Sequence, residues 1–507
     1  EPSVKRLAAG IVLALALTAT GCSGEISRSL STPGRGLDSA ETRFFEPAES
    51  RSADGSLILQ PATDAVGLSV AVSELHYVSA PAVVLAATPD DADALALAAT
   101  HGIPLLTLPT EADEAQAAAV AAEVTRLGAS LVLPVGREVP DLITAATALG
   151  GAPSGLKLPE APGAAGPASW VALVPDDETA SLVSFLAGED GRVVVAPEPR
   201  ASAEAIAALA ENPEATVVAF GDGFPDESTL AWQVATARTG ITLPGGDTQV
   251  VGGDKLYVAL YGHPGAPVLG VLGEQGVDAT VARAEEHAAL YDGLTEATTV
   301  PALEIIVTIA SAGAGGDGNY SSEVPLSTFL PLIDAAHEHG LYVIIDLQPG
   351  RTDFLTQAKL YEELLLRPYV GLALDPEWRL TPDQVHLRQI GSVQASEVNE
   401  VSTWLADLVR DNNLPQKLFI LHSFTVNMVR NAAEVDVSRP ELGVMVHVDG
   451  QGGHGAKVGT WNRLRDYLPQ VPYWGWKNFY DEDVPRMLTP AETMQIVDPT
   501  PLLITYQ

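Results

Sequence analysis

The C-terminal half of the chain alternates short apolar runs with helical stretches, and this alternation constrains the fold more than any other feature. Helical stretches at 277–294, 329–339 and 398–410 are examples of the segments between the runs. The runs have the length of buried strands and lie at 256–261, 304–309, 341–346, 370–375, 417–422, 443–449, 471–476 and 502–506. Eight strands alternating with helices over about 255 residues are typical of a (β/α)8 barrel. We therefore predict a TIM barrel over residues 250–507.

The residues before this barrel also alternate between strands and helices. Apolar runs at 83–86, 102–108 and 130–134 are separated by helical stretches. A second set of runs in the same order follows, at 170–174, 192–196 and 216–222. Strands that alternate with helices form parallel sheets. We therefore predict an α/β fold overall, with a Rossmann-like parallel-sheet half over residues 63–245.

This N-terminal half resembles the type 2 cell wall binding repeat of Gram-positive surface proteins. The matching elements are the DALALA helix start at Asp93, the GIPLLTL strand at Gly102 and the RLGASLVLPVG segment that ends at Gly136. Residues 168–224 match in pattern only, because they lack the DAL element. The resemblance implies that this half binds a cell wall polymer. The residues alone also allow an α/β domain that only packs against its neighbour.

The first residues have the layout of a bacterial export signal. A basic pair at 5–6 precedes an apolar run over 7–17 and then small residues that end at Cys22. The run is shorter than the roughly 20 residues that span a bilayer. Its ending resembles the bacterial lipobox, which implies that Cys22 carries a lipid. We expect a signal peptide over 1–22, a disordered tether over 23–62, and an exported protein anchored to the outer face of the cytoplasmic membrane.

Net charge and cysteine content exclude two classes of function. The formal net charge is −37, whereas phosphate backbones bind clusters of Lys and Arg, so nucleic acid is excluded as a partner. Cys22 is the only cysteine, which excludes an intramolecular disulfide and a cysteine metal cluster. With 46% apolar residues the chain is predicted to be globular. We predict no cofactor and no metal ion.

Ionisable and aromatic residues stand at the C-terminal ends of the predicted barrel strands, where barrels of this kind carry their active sites. They are His263, Asp346, Asp375, Glu377, Trp378, Arg379, His422, His447, Asp449, Trp474, Trp476 and Tyr506. Seven of the eight predicted strands end in such residues, which favours a functional role for this set over a purely structural one. We call the set the rim.

The strongest element of this rim is the Asp-Pro-Glu-Trp segment. Residues two apart on a strand point to the same side, so Asp375 and Glu377 are predicted to face the barrel mouth together, about 6 to 7 Å apart. Two neighbouring carboxylates push their pKa values apart, which leaves one as an acid and the other charged, as glycosidic bond cleavage requires. We predict Glu377 as general acid and Asp375 as its charged partner. Asp346, His422 and Asp449 are predicted to position substrate or water.

Flat apolar side chains are predicted to hold the sugar. The predicted substrate contacts are Trp378, Trp474, Trp476, Tyr506, His263, His447 and Arg379. The predicted partner is a cell wall polymer or another polysaccharide.

The end of the fourth strand is similar to the motif of family 18 glycoside hydrolases. In that family the Glu is the acid and the Asp orients the acetamido group of the substrate, which implies these roles for Glu377 and Asp375. The sixth strand, Met-Val-His-Val-Asp from Met445, distantly resembles the Met-x-Tyr-Asp strand of the same family. Leu372 and Leu374 stand where acids of that motif would be. The resemblance therefore covers two strands.

Three alternatives stay open. Glu377 could form a plain ion pair with Arg379. His263, His422 and His447, with nearby aspartates, could hold a divalent metal or act on a phosphodiester, although no His-x-His spacing is present. The barrel could also bind glycans without cleaving them, as part of a cell wall binding surface protein.

Overall fold

The computed structural model describes residues 54–143, 170–187 and 191–507, and short segments at 43–44, 48–50, 146–147 and 156–157. Cys22, the signal peptide over 1–22 and most of the predicted tether lie outside the described residues. Within these described ranges, no helix combines the length and apolar character needed to cross a bilayer.

The last part of the predicted tether is a strand, so the tether prediction was wrong there. Leu57–Gln60 pairs in parallel with Thr216–Phe220. The strand forms because Leu57 and Ile58 pack into the apolar layers on the two opposite faces of the sheet.

The first parallel sheet contains the first predicted set of strands. Its order is Leu105–Thr107, Ala82–Ala86 and Leu131–Val135, with the short strand Ala146–Thr147 at the far edge. The accompanying helices are Ala65–His76, Ala92–His101 and Glu114–Arg126. Aspartate side chains start the last two helices by accepting hydrogen bonds from first-turn N–H groups. A separate pair of short antiparallel strands joins Glu49–Ser50 to Tyr77–Ser79.

The second parallel sheet repeats the order of the first three strands, but its fourth strand comes from earlier in the chain. It runs Gly191–Val195, Trp170–Val174, Thr216–Phe220 and finally Leu57–Gln60. Its helices are Asp177–Ala187, Ala203–Glu211 and Glu227–Arg238. In both predicted sets of three strands, the earliest strand lies between the other two. The predicted α/β, parallel-sheet character of this half is confirmed.

The C-terminal half is a closed barrel of eight parallel strands, as predicted. The strands are β1 (Lys255–Gly262), β2 (Thr298–Ala310), β3 (Tyr342–Leu347), β4 (Val370–Leu374), β5 (Lys417–Ser423), β6 (Leu442–Val448), β7 (Tyr473–Asn478) and β8 (Leu503–Tyr506). Each pairs in parallel with the next. β8 pairs with β1, which closes the barrel.

Helices cover the outside of the barrel. They are Val277–Ala289, Leu330–Glu338, Phe354–Leu360, Glu362–Leu365, Ala395–Asp411, His454–Tyr467 and Pro490–Ile496. The longest buries Val398, Val401 and Leu405, whose spacing places them on one face of the helix. The connection from β5 to β6, all of which the structure describes, contains no α-helix; it carries the short strand Val429–Arg430, which pairs in parallel with Val393–Gln394, and the short 3-10 helix Ala432–Glu434. Ser321–Glu323 extends the sheet by pairing antiparallel with the end of β2.

The barrel strands are buried on both faces, which is why they read as continuous apolar runs in the sequence. Successive side chains alternate between the barrel axis and the helices outside. Polar residues interrupt the runs at axis-facing positions near the C-terminal ends of the strands. The register between neighbouring strands then determines which polar side chains lie side by side. For example, His422 on β5 is paired with His447 on β6.

Candidate active site

A cleft of about 450 Å³ opens at the C-terminal end of the barrel. Its polar lining includes Tyr261, Asp375, Glu377, Asp449 and Lys477, and Phe424 and Phe479 are among its apolar residues. The cleft therefore combines carboxylates, one ammonium group and aromatic rings. We refer to it below as the cleft.

Asp375 and Glu377 both line the cleft, but the local structure differs from the one predicted. β4 ends at Leu374, and Pro376–Trp378 forms a 3-10 helix instead of continuing the strand. Asp375 stands at its N-terminus and accepts a hydrogen bond from the backbone N–H of Glu377 at 3.3 Å. Pro376 at the first helical position favours this turn, since its ring fixes φ. The carboxylates share the cleft because of the turn and not because of strand alternation.

Glu377 has the protonation behaviour of a general acid. Burial and, to a smaller extent, the negative charge of Asp449 raise the pKa of Glu377 to about 7, against the opposing charges of Lys477 and His422. A carboxyl with a pKa close to neutral retains a proton for transfer at physiological pH. The side chain is only partly buried, so this proton is accessible from the cleft.

The surroundings of Asp375 disfavour the charge that its predicted role as charged partner requires. Burial raises the pKa of Asp375 well above its usual range, and the charges of Asp346 and Asp449 act in the same direction. Asp346 is fully buried beneath it, and burial raises the pKa of Asp346 to about 6. Several carboxyls in one buried space cannot all ionise. Burial and the neighbouring charges therefore favour the protonated form of Asp375.

Asp449 is the ionised carboxylate of the cleft. Burial opposes its charge, but the hydrogen bond and positive charge of His422 outweigh burial and lower the pKa of Asp449. Nδ1 of His422 donates to Oδ2 of Asp449 at 3.0 Å, and Nε2 donates to Oε1 of Glu304 at 2.6 Å. Burial alone lowers the pKa of His422, yet the two carboxylates raise it well above its usual range.

Lys477 and Tyr261 also line the cleft; both stand at predicted strand ends, but neither was predicted as a site residue. The ammonium of Lys477 lies 3.5 Å from the ring centroid of Tyr261, which is a cation–π contact. The hydroxyl of Tyr261 donates to Oδ2 of Asp346 at 2.8 Å. Lys477 directly follows Trp476 on a strand, and alternation from Gly475 is the signal that could have found it.

The prediction that Trp474, Trp476 and Tyr506 hold the substrate was wrong. The two tryptophans point away from the barrel axis, and each ring lies 5.9 Å from that of Trp461 on the outer helix. Tyr506 also points outward and forms a 2.7 Å hydrogen bond with Tyr291. All three are buried. Strand alternation explains this, because their neighbours Gly475, Lys477 and Thr505 occupy the axis-facing positions.

Three further predicted contacts also lie outside the cleft. His263 forms a hydrogen bond through Nδ1 with the carbonyl of Ile306 at 2.8 Å. Arg379 donates to Glu397 at 2.9 Å, so the alternative ion pair with Glu377 is not formed. His447 is fully buried below the floor of the cleft.

Trp378 is the predicted aromatic contact that does reach the cleft. Trp378 also lines a second depression of about 290 Å³, together with Glu377 and residues 386–390. Leu387 and Ile390 in this loop are 85% and 51% exposed. Glu377 and Trp378 thus border both depressions, and we refer to the two depressions together as the groove.

No protein-family model matches the chain, and no curated protein matches its sequence. Among solved structures, it is similar to a hyperthermophilic endo-β-1,4-glucanase in complex with substrate, at 12% identity, a TM-score of 0.28, and coverage of 49% of this chain and 87% of that one. It is also similar to Thermotoga maritima Cel5A in complex with cellobiose, at 11% identity and a TM-score of 0.29, with coverage of 50% of this chain and 89% of that one. A third similar structure is Cwp6 from Clostridium difficile, at 12% identity and a TM-score of 0.17, with coverage of 65% of this chain and 64% of that one. These similarities are too low to indicate an activity.

Proposed function

We propose that the barrel hydrolyses glycosidic bonds in a polysaccharide, with Glu377 as general acid. The observation that carries the proposal is the position of a carboxyl with a pKa of about 7 between two adjoining depressions. A bond held across the junction would present its leaving-group oxygen to this proton. Protonation of that oxygen by a raised-pKa carboxyl is the first requirement of glycoside cleavage.

Asp449 is the second carboxylate that such a reaction needs. It lines the same cleft, and the hydrogen bond from His422 holds one of its oxygens at 3.0 Å. Its other oxygen, Oδ1, has no hydrogen-bond partner among the described residues. That oxygen is buried, so the carboxylate must turn toward the cleft to act on water or on the anomeric carbon. Asp375 then serves as a neutral hydrogen-bonding group.

Trp378 supplies the sugar-binding face at the junction. Its indole is half-buried and makes an edge contact with His386 at 5.3 Å between ring centroids, which holds the ring in place. Phe424 and Phe479 add apolar surface within the cleft. A polar groove with a few aromatic walls suits a glycan better than a fully apolar ligand.

We further propose that the chain works at the bacterial surface, with a lipid on Cys22 and a cell wall polymer bound by the N-terminal half. The lipobox-like ending at Cys22 supports the lipid. The same order of three strands in both sheets supports a repeated binding unit. The substrate would then be a polysaccharide of the wall or of the surroundings.

Release of reducing ends from bacterial wall glycans and chitin-like polymers tests the enzyme. Loss of a general acid lowers rates by roughly 10²- to 10⁴-fold, and we expect this for Glu377→Gln. Glu338→Gln, an exposed change on an outer helix, is the matched control and should retain full activity. If the wild-type chain releases nothing from any polymer yet still binds walls, the protein is a non-catalytic glycan-binding protein.

A further inference from the structure

We propose that the barrel interior binds one divalent transition-metal ion of the zinc class, through Glu304, His422 and His447. This site lies below the cleft and goes beyond the proposed hydrolysis. The three residues come from β2, β5 and β6, and all are fully buried. One ligand atom from each lies within 4.8 Å of the others. Two histidines and one glutamate form a ligand set that zinc accepts.

Two unpaired acceptors face each other in this cluster. Oε2 of Glu304 and Nδ1 of His447 have no hydrogen-bond partner among the described residues, and they lie 3.9 Å apart. Two atoms that each bind zinc at about 2.1 Å are separated by roughly 3 to 4 Å. Buried polar atoms are rarely left unsatisfied. A cation between these two atoms satisfies both.

The outer contacts of both histidines orient their inner nitrogens toward Glu304. Nε2 of His422 donates a hydrogen bond to Oε1 of Glu304, so metal binding must replace this proton and this hydrogen bond. Nδ1 of His422 contacts Asp449 at 3.0 Å, which directs Nε2 toward Glu304. Nε2 of His447 contacts the hydroxyl of Thr505 at 3.0 Å, which directs Nδ1 toward Glu304. Metal-binding histidines usually have such a partner on the other ring nitrogen, and the partner fixes ring orientation.

The charge of the surroundings also favours a cation. Glu304, Asp346 and Asp449 share the barrel interior and are at most 8% exposed. Oδ1 of Asp346 is a further buried acceptor without a partner among the described residues. Lys477 is the nearby ammonium, and it contacts the ring of Tyr261. A divalent ion would compensate part of this buried negative charge.

Sequence spacing could not indicate this site. His422 and His447 are far apart in the chain, and only the register of β5 against β6 pairs them. Their rings lie 4.7 Å apart as a result. Glu304 joins them from across the barrel axis.

Cobalt titration of the untagged full-length chain tests the proposal. Co²⁺ replaces zinc in nitrogen and oxygen sites and gives visible absorption that reports its ligands. After chelator treatment, we expect one equivalent of Co²⁺ to bind and an equal amount of Zn²⁺ to displace it. His447→Gln should abolish the absorption, and Thr505→Val should weaken affinity by about 10- to 100-fold, as loss of an outer partner does. His339→Gln, a change at an exposed surface histidine, should bind as wild type does.

Circular dichroism of each variant shows whether it folds. If His447→Gln does not fold, the cobalt absorption of the wild-type chain and the cobalt affinity of Thr505→Val still test the metal site. Absence of cobalt uptake by the wild-type chain overturns the proposal. So does unchanged affinity in Thr505→Val, or a cobalt–thiolate band that places the ion on Cys22. Because metal binding is measured without substrate, an inactive enzyme that binds cobalt leaves this site intact while removing the proposed hydrolysis.

Discussion

Glu377→Gln should make the barrel more stable at alkaline pH while it removes activity. Burial and the charge of Asp449 move the pKa of Glu377 from 4.5 to about 7. One pKa unit of difference between folded and unfolded states corresponds to about 1.4 kcal/mol. Ionised Glu377 therefore costs the folded state about 3 kcal/mol at pH 8, on the scale of this shift. Glutamine resembles the protonated acid and avoids that cost.

The sign of the pH dependence follows from a pKa that is raised in the folded state. Below about pH 4.5 the carboxyl is protonated in both states, and its pKa difference contributes no penalty. As pH rises through 4.5 toward 7, the unfolded chain loses this proton first, and wild-type stability falls. The stability advantage of Glu377→Gln should thus grow from near zero to about 3 kcal/mol between these limits and remain constant above them.

Urea unfolding followed by tryptophan fluorescence measures this difference at about pH 4.5 and pH 8. Glu338→Gln serves as the control and should show no pH-dependent gain. In parallel, kcat/KM of the wild type should fall above about pH 7, because the acid must keep its proton. An equal stability difference at both pH values would refute a raised pKa for Glu377. An activity that stays constant up to pH 9 would refute its role as the acid.

Three further changes test the fold and the groove. Trp476→Ala removes a buried ring that packs on Trp461 and should destabilise the protein by about 3 to 5 kcal/mol in urea unfolding. Trp378→Ala should raise KM for polymers several-fold with little change in the urea midpoint, because this ring is half-buried at the groove. In Gly475→Ala, the new Cβ would lie 2.5 Å from Cδ2 of the buried His447. We expect a loss of about 1 to 3 kcal/mol, measured as a lower thermal midpoint; an unchanged midpoint would mean that the ring moves freely.

The barrel could be predicted from the sequence because parallel strands covered by helices are buried on both faces. Such strands must be continuous apolar runs, and all eight runs became barrel strands. The carboxylates at the ends of two of these runs, Glu377 and Asp449, were predicted to share the barrel mouth. Topology alone requires this, since all eight strands end at the same face.

The direction of each side chain could not be predicted in the same way. Side chains alternate between the two faces of a strand such as Trp474–Lys477, but the residue types alone do not show which alternate pair faces the barrel axis. Packing decides it: the tryptophans fill the space against Trp461 outside, and Gly475 leaves room for a histidine ring inside. The aromatic rim predicted for the sugar was therefore placed on the wrong face.

By itself, the sequence determined the strand and helix order and the end of the barrel at which polar residues gather. Only the tertiary structure decided which of those residues are charged. Asp375, Glu377 and Asp449 are all carboxyls, but burial raises the pKa of the first two, whereas the hydrogen bond and positive charge of His422 lower the pKa of Asp449. Glu304 stands in an apolar run and was not predicted as a site residue, because only the folded barrel places it within hydrogen-bonding distance of His422 on β5. Charge state depends on burial and on nearby charges across the barrel, and those distances exist only once the chain has folded.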